Sequence, residues 1–151
     1  FRIDQSNTPL SHNDIQNCTT EELVNTYDNS ILYTDFVLNR IINLLKNNSK
    51  YWHTAMIYVS DHGESLGENG LYLHGFPYKL APKEQIMVPL ISWFSPSFIR
   101  SKTIDLACLK IKANNKNYSH DNIFSSILGL MDVSTREYDK KLDIFAPCRY
   151  E

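Results

Sequence analysis

The sequence predicts a single α/β domain, because a long amphipathic helix, two short apolar strands and a second amphipathic helix follow one another along the chain. The chain has 151 residues, of which 42% are hydrophobic and 21% charged, so it is long and apolar enough to bury a core. This composition excludes an intrinsically disordered protein. The net charge of −2 comes without a basic run, which gives no reason to propose a nucleic-acid partner.

The first predicted element is a helix that begins near Thr19. Thr19 is followed three residues later by Glu22, the pattern of a capping box. A mainly apolar stripe then recurs every three or four residues to about residue 46, before the polar cluster 47–49. We expect this stripe to pack against a sheet; it comprises Leu23, Tyr27, Ile31, Thr34, Leu38, Ile41 and Leu45.

Residues 1–18 show no apolar periodicity and are predicted to form an irregular lead-in. The chain starts at Phe1 with a polar stretch that lacks the charged start and apolar middle of a signal peptide. We therefore expect the sequence to be part of a longer protein. The longest apolar stretch, residues 86–94, is interrupted by Pro89 and reaches about half the ~18 residues of a membrane span.

Two strands are predicted, over residues 54–60 and 88–94. The first is almost continuously apolar, which is typical of a strand covered on both faces, as in a parallel sheet. Pro89 must lie at the start of the second strand or at a sheet edge. Residues 96–117 are ambiguous, with one short strand expected around 104–109. A last helix, capped by Ser119 or Asp121, carries apolar residues between 123 and 131.

The candidate site follows the first strand, since ligands of open α/β sheets bind beyond the carboxyl ends of strands. Asp61 and His62 offer a carboxylate and an imidazole, which together suit a zinc-like ion, and Gly63 allows a sharp turn. The alternative is that Asp61 caps a turn and His62 is a surface residue. His74, in a glycine-rich loop, favours the site if that loop folds back beside His62.

Three cysteines, Cys18, Cys108 and Cys148, lie far apart without a Cys-x-x-Cys spacing, which excludes a zinc knuckle or a thioredoxin-type motif. Their odd number leaves two alternatives open. All three are reduced thiols, or two of them form a disulfide.

The segment 58–78, YVSDHGESLGENGLYLHGFPY, resembles the signature of the bacterial lipid A phosphoethanolamine transferases. This group includes the colistin (polymyxin) resistance enzymes and belongs to the alkaline phosphatase/sulfatase superfamily. The flanking segments 25–29 (NTYDN), 118–122 (YSHDN), 143–144 and 148–149 agree, so the resemblance runs from about residue 9 to residue 150.

This resemblance implies the C-terminal part of a sulfatase/alkaline-phosphatase-like α/β/α sandwich. Residues 19–151 are then the C-terminal portion of a periplasmic catalytic domain. The first half of that domain and an N-terminal membrane domain are expected outside this chain.

The resemblance also implies roles for individual residues. Asp61 and His62 match two zinc ligands of the family, and Glu64, His74 and Pro77 match pocket positions around the phosphoethanolamine group. His74 is the candidate for binding phosphate or protonating the leaving group. The family's nucleophilic threonine has no counterpart, since the threonines at 19, 20 and 26 fall in the first helix. We therefore expect the fragment by itself to be inactive.

By the same resemblance, the parent protein is a zinc-dependent transferase at the periplasmic face of the bacterial inner membrane. It moves phosphoethanolamine from phosphatidylethanolamine to a lipid A phosphate through a covalent threonine intermediate, which zinc assists. Two alternatives remain. One is a sulfatase or phosphodiesterase-type hydrolase of the same superfamily, and the other is a non-catalytic accessory module with the same fold.

The implied periplasmic location also bears on the cysteines, because disulfides persist in oxidising compartments. We expect Cys108 to pair with Cys148 and so to fasten the C-terminal segment. Cys18 is then the remaining cysteine. The family carries a further cysteine eight residues before the position of Cys18, where this sequence has Leu10.

Overall fold

The computed structural model describes residues 18–150, so the predicted lead-in lies outside the described residues except for Cys18. The helices are α1 (Thr20–Asn48), α2 (Lys83–Ile86), α3 (Pro96–Ser101), α4 (Leu106–Asn115) and α5 (Asp121–Leu130). The strands are β1 (Ala55–Val59), β2 (Ser65–Leu66), β3 (Tyr72–Leu73) and β4 (Leu90–Phe94). Short 3-10 helices span Glu68–Gly70 and Ala146–Cys148. The predicted α/β class is confirmed.

The chain forms two compact units. Among the described residues, one consists of residues 18–47 and 56–93, and the other of residues 48–55 and 94–150. The candidate site lies in the first unit. The disulfide and most of the buried apolar side chains lie in the second.

Helix α1 begins with the predicted capping box. The Glu22 carboxylate accepts hydrogen bonds from the backbone N–H of Thr19 (2.8 Å) and from its hydroxyl (2.9 Å), and the backbone N–H of Glu22 donates to Thr19 Oγ1 (3.3 Å). The N–H of Thr19, and after it the hydroxyl, lowers the pKa of Glu22. The prediction that the whole apolar stripe packs on a sheet is wrong for this chain. Leu23 is buried, whereas Ile31 is 50% and Ile41 39% exposed.

Strands β1 and β4 pair with each other in a two-stranded sheet. At one end Ser60 N–H donates to Pro89 O (3.4 Å), and at the other Ser95 N–H donates to Thr54 O (2.9 Å). The strands therefore run antiparallel, and the prediction of a parallel sheet is wrong. The continuous apolar run also does not mark full burial, since all five residues of β1 are partly exposed. Pro89 lies just before β4, as expected.

The ambiguous segment 96–117 contains two helices. Ser95 caps α3 by accepting from Phe98 N–H, and proline occupies its first position. Asp105 caps α4 by accepting from the backbone N–H groups of Ala107 (2.8 Å) and Cys108 (3.1 Å). The N–H of Cys108 is the largest cause of the lowered pKa of Asp105. The strand expected at 104–109 is therefore wrong, and Ile104 contributes a single β-bridge to Arg149.

The start of α5 also differs from the prediction. Neither Ser119 nor Asp121 caps the helix, because the residue at the N-cap position is His120 and its side chain makes no capping bond. Instead, Asn122 Oδ1 accepts from Ser119 N–H (2.9 Å), and Asn122 Nδ2 donates to Leu142 O (2.9 Å). The asparagine therefore fastens both the start of the helix and a distant loop.

Aromatic stacking organises the core of the second unit. The rings of Phe94 and Phe98 are parallel with centroids 5.4 Å apart, and Phe145 meets Phe94 edge-on at the same distance. All three are buried, and both geometries are favourable for aromatic pairs. Phe145 therefore brings the C-terminal segment into the core.

A buried carboxylate orders the chain next to this core. Asp143, 2% exposed, accepts from the backbone N–H groups of Phe145 (2.8 Å) and Ala146 (3.1 Å) and from the Tyr138 hydroxyl (2.9 Å). Gly129 of α5 makes room for this carboxylate, since a Cβ there would lie 2.9 Å from Asp143 Cγ. The position needs glycine because the two groups touch.

The C-terminal segment is also tied down covalently. Cys108 and Cys148 form a disulfide with Cα atoms 5.6 Å apart, which confirms the predicted pairing. Arg149 Nη1 donates to Gly129 O (2.6 Å), and its Nη2 donates to Asp132 Oδ1 (2.7 Å). Lys102 Nζ binds the other oxygen of Asp132. These two donors, Lys102 first and Arg149 second, lower the pKa of Asp132.

Removing the disulfide is expected to destabilise the chain. The bridge closes a loop across a sequence separation of 40, worth about 4 kcal/mol in the chain-entropy account. A C108A/C148A double variant should therefore unfold at a lower urea concentration than the oxidised protein. Dithiothreitol should shift the midpoint of the wild type and leave that of the double variant unchanged. Equal midpoints for oxidised wild type and double variant would contradict the prediction.

The Asp132 ion pairs predict a pH-dependent stability. Because the pKa of Asp132 is lowered in the folded state, its contribution is present above its unfolded pKa of about 3.9 and is lost as the pH falls through the folded pKa. Asp132→Asn, which tolerates the φ of 51°, should lower the free energy of unfolding by about 1 kcal/mol at neutral pH. Urea titrations should show the difference shrinking below about pH 4. Asp35→Asn in α1 is the matched control, and a pH-independent difference would contradict this interpretation.

Candidate metal centre

The loop after β1 is shaped by a close contact between two backbones. Gly63 N–H donates to Gln85 O (2.9 Å), and a Cβ at Gly63 would overlap the backbone carbonyl of Glu84, whose carbon would be 3.1 Å away. Gly63 does not have a positive φ, so this position requires space rather than the sharp turn expected from the sequence. This contact holds the loop of residues 61–63 against helix α2.

Strands β2 and β3 place Glu64 opposite His74. Their antiparallel register pairs Ser65 with Leu73 and Leu66 with Tyr72, so residues 64 and 74 form the next pair along. His74 Nδ1 lies 2.7 Å from Glu64 Oε1. His74 also folds back beside His62, with ring centroids 3.8 Å apart and planes inclined by 30°.

His62, Glu64 and His74 form a cluster in which one potential ligand atom of each lies within 4.8 Å of the others. Their side chains are 40%, 28% and 49% exposed, so the cluster is open to solvent. Asp61 lies beside it, with Oδ2 3.7 Å from His62 Nε2. The structure thus groups Glu64 and His74, which the resemblance gave as pocket residues, with one of the two expected zinc ligands.

Hydrogen bonds assign the proton on each imidazole. His62 Nδ1 lies 3.0 Å from Gly63 O, and because a carbonyl can only accept, Nδ1 carries the hydrogen. His74 Nδ1 donates to the Glu64 carboxylate in the same way. In each neutral ring Nε2 therefore keeps its lone pair. A carbonyl or carboxylate behind a histidine is the usual arrangement that orients a metal ligand.

The charge of Asp61 is also favoured. Its own backbone N–H and that of His62, which lies 3.1 Å from Oδ1, are the main causes of the lowered pKa of Asp61, and His62 adds a smaller electrostatic contribution. The alternative in which Asp61 caps a turn would need a bond from the N–H of Gly63, which instead donates to Gln85 O. The same carboxylate still presents Oδ2 to His62.

One further observation indicates that these residues fit a zinc ion. Glu64 Oε2 is buried and has no hydrogen-bond partner among residues 18–150. A buried carboxylate oxygen without a partner is costly, and a metal ion satisfies it. Two imidazole nitrogens with carboxylate oxygens form a donor set that zinc accepts.

The structure describes Pro77, the remaining predicted pocket residue, as the start of a turn. Its carbonyl accepts from Leu80 N–H (2.8 Å) and Ala81 N–H (2.9 Å).

The sequence analysis gave Glu64 as a pocket residue but not as a possible metal ligand. Its position two residues after His62 was a signal that both side chains face the same side of the chain. The sequence analysis also overlooked Gln85, which bonds Ser65 and Phe76 on the two segments that carry Glu64 and His74.

In the described part of the chain, helices that combine the length and apolarity of a membrane span are absent.

Comparison with known proteins agrees with the signature. The sequence profile of the Sulfatase family matches residues 4–133. The chain is 50% identical over 137 residues to phosphoethanolamine transferase EptA of Salmonella typhimurium, covering 91% of this chain and 25% of that protein. It is 41% identical over 128 residues to phosphatidylethanolamine transferase Mcr-2 of Escherichia coli, covering 84% and 22%.

A solved structure also matches this fold. The integral membrane protein lipooligosaccharide phosphoethanolamine transferase A of Neisseria meningitidis superimposes with a TM-score of 0.88 at 48% identity, covering 95% of this chain and 27% of that one. The chain thus spans about a quarter of the length of the relatives it matches. With its fold, its signature and most of its length matched, the chain belongs to the sulfatase family, and within that family to the phosphoethanolamine transferases.

Proposed function

We propose that the whole protein is a zinc-dependent transferase that moves phosphoethanolamine from phosphatidylethanolamine to a lipid A phosphate, and that this chain supplies part of its active site. The observation that carries the proposal is the cluster of His62, Glu64 and His74 in a chain 50% identical to a phosphoethanolamine transferase. The names of Mcr-2 and of the Neisseria protein support the donor and the acceptor, since lipid A is the lipid part of lipooligosaccharide.

Asp61, His62 and Glu64 would hold the metal, and His74 would orient Glu64 from behind. A bound zinc ion supplies Lewis acidity, which offsets negative charge on phosphoryl oxygens and lowers the pKa of a bound hydroxyl group. His62 contributes Nε2, because its Nδ1 hydrogen is held by Gly63 O. Glu64 contributes Oε2, which has no protein partner among the described residues.

His74 has a second role in the proposal. Its bond to Glu64 fixes the hydrogen on Nδ1 and leaves Nε2 as the atom that exchanges a proton. When protonated, Nε2 can donate to a phosphate oxygen or to the oxygen of the leaving group. The 49% exposure of this side chain lets a substrate reach it. Pro77, which begins the turn two residues after Gly75, is proposed to border the phosphoethanolamine pocket.

The nucleophile is proposed to come from a part of the whole protein outside these residues. The hydroxyls of Thr19 and Thr26 are both engaged at the start of α1: the first donates to the Glu22 carboxylate and the second to the Glu22 backbone carbonyl. The chain also spans about a quarter of the length of its relatives. We therefore expect these 151 residues alone to lack transferase activity.

The proposed location is the periplasmic face of the inner membrane. A disulfide between Cys108 and Cys148 is consistent with an oxidising compartment. The Neisseria relative is an integral membrane protein, which supports a membrane domain elsewhere in the whole protein.

A hydrolase is the second candidate, because the matching profile is that of the Sulfatase family as a whole. The same cluster would serve hydrolysis of a sulfate or phosphate ester if water took the place of the lipid acceptor. The third possibility, an accessory module without catalysis, requires that the whole protein contain no nucleophile near the cluster.

Zinc binding by the 151-residue chain tests the cluster directly. Glu64→Gln and His74→Ala should each weaken Zn²⁺ binding at least about tenfold, because the first replaces a ligand carboxylate and the second removes the imidazole that orients it. Affinity is measured by competition with a chromogenic chelator at neutral pH. His53→Ala, an exposed histidine just before β1, should bind like the wild type. Unchanged affinity in both cluster variants would contradict the metal site.

Activity tests the proposal for the full-length protein. His74→Gln should lower the rate of phosphoethanolamine transfer to lipid A by at least about 100-fold, because it removes the proton-exchanging Nε2. Mass spectrometry of lipid A gives the rate, with His53→Gln as the control. Transfer by His74→Gln at the wild-type rate would refute the role of His74. Hydrolysis of sulfate esters without modified lipid A would establish the hydrolase instead, and absence of both activities would favour the accessory module.

A further inference from the structure

Gln85, in α2, contacts both segments that carry the metal cluster. It is 5% exposed, and both polar atoms of its side-chain amide make a hydrogen bond: Nε2 donates to Ser65 Oγ (2.9 Å) and Oε1 accepts from Phe76 N–H (3.4 Å). Its backbone carbonyl accepts from Gly63 N–H (2.9 Å). One residue thus makes three hydrogen bonds to the walls of the site.

Each of these bonds falls close to a member of the cluster. Gly63 follows His62, Ser65 follows Glu64, and Phe76 comes two residues after His74. The register of β2 and β3 sets Glu64 opposite His74, but that pairing comprises only two residue pairs. A hairpin this short is not stable by itself and needs support from outside.

The chemistry of this position requires an amide. The side chain must donate at one atom and accept at another, which glutamate, lysine and methionine of similar length cannot both do. Because the Gln85 side chain is buried, water cannot replace either partner without cost. Gln85 therefore fixes the spacing between the two segments, and with it the 2.7 Å contact between Glu64 and His74.

We propose that Gln85 is a positioning residue for the metal centre: it holds His62, Glu64 and His74 within reach of one ion without binding the ion itself. The inference rests on the proposed function, since it concerns how well this chain binds zinc. Residues that orient metal ligands from behind typically change metal affinity by about 10- to 100-fold when they are replaced.

The test compares zinc affinity with stability in the 151-residue chain. Gln85→Met, which keeps the volume and removes both side-chain bonds, should weaken Zn²⁺ binding by about 10- to 100-fold. Ser126→Ala is the matched control, because this buried hydroxyl bonds Ile144 N–H (2.9 Å) in the other unit. It should lower the unfolding midpoint in the presence of a chelator and leave zinc affinity unchanged.

A double-mutant cycle separates positioning from general destabilisation. In a His74→Ala background, Gln85→Met should cost a much smaller factor in zinc affinity, because the contact between Glu64 and His74 that Gln85 fixes is already gone. Ser65→Ala removes a single bond and covers the case in which Gln85→Met does not fold. It should weaken zinc binding in the same direction by a smaller factor.

The outcomes distinguish the two proposals. A wild-type chain that binds no zinc overturns the metal site, and this inference with it. A wild type that binds zinc, together with unchanged affinity in Gln85→Met and Ser65→Ala, overturns the positioning role alone. An equal factor for Gln85→Met with and without His74 also overturns it.

Discussion

The candidate site depends on the close approach of two backbones at Gly63. There the loop after β1 lies against the Glu84 carbonyl, and the Gly63 N–H donates to Gln85 O at 2.9 Å. Any side chain at this position would push the two segments apart, because the Glu84 carbonyl occupies the place of a Cβ. This contact holds the loop that carries His62 next to helix α2, which carries Gln85. The glycine is therefore part of the architecture of the site rather than of its turn alone.

Among the described residues, the buried side-chain oxygen and nitrogen atoms around this contact have hydrogen-bond partners, with one exception. His62 donates its Nδ1 hydrogen to Gly63 O, and His74 donates its Nδ1 hydrogen to the Glu64 carboxylate. Each of these two rings keeps a lone pair on Nε2. Glu64 Oε2 is the exception within the described residues, since it is buried without a hydrogen-bond partner. A group that is costly to bury alone is retained where a ligand satisfies it. The arrangement is consistent with the phosphoryl-transfer chemistry proposed for this family member.

The second unit shows what fastens the C-terminal segment. A disulfide, an aromatic ring in the core and the charged pair of Arg149 and Asp132 each hold it at a different point. Buried Asp143 satisfies backbone N–H groups that would otherwise have no partner where the chain turns into its last 3-10 helix. The unit therefore combines covalent, apolar and polar restraints over a short length of chain.

The sequence by itself determined the features that depend on near neighbours: the capping box at Thr19, the extent of α1, the two main strands, and the place of Asp61 and His62 at the end of a strand. The resemblance added the family and, through its compartment, the disulfide. Only the tertiary structure decided the antiparallel pairing of β1 with β4, the exposure of the α1 stripe, the helices within 96–117 and the role of Gln85. Periodicity shows which face of an element is apolar, but not what covers it. Capping bonds join residues a few positions apart, so residue types identified the capping box at Thr19, although they gave the wrong cap for α5. The contact of Gln85 with Ser65 joins residues 20 apart, and only the folded chain brings that pair together.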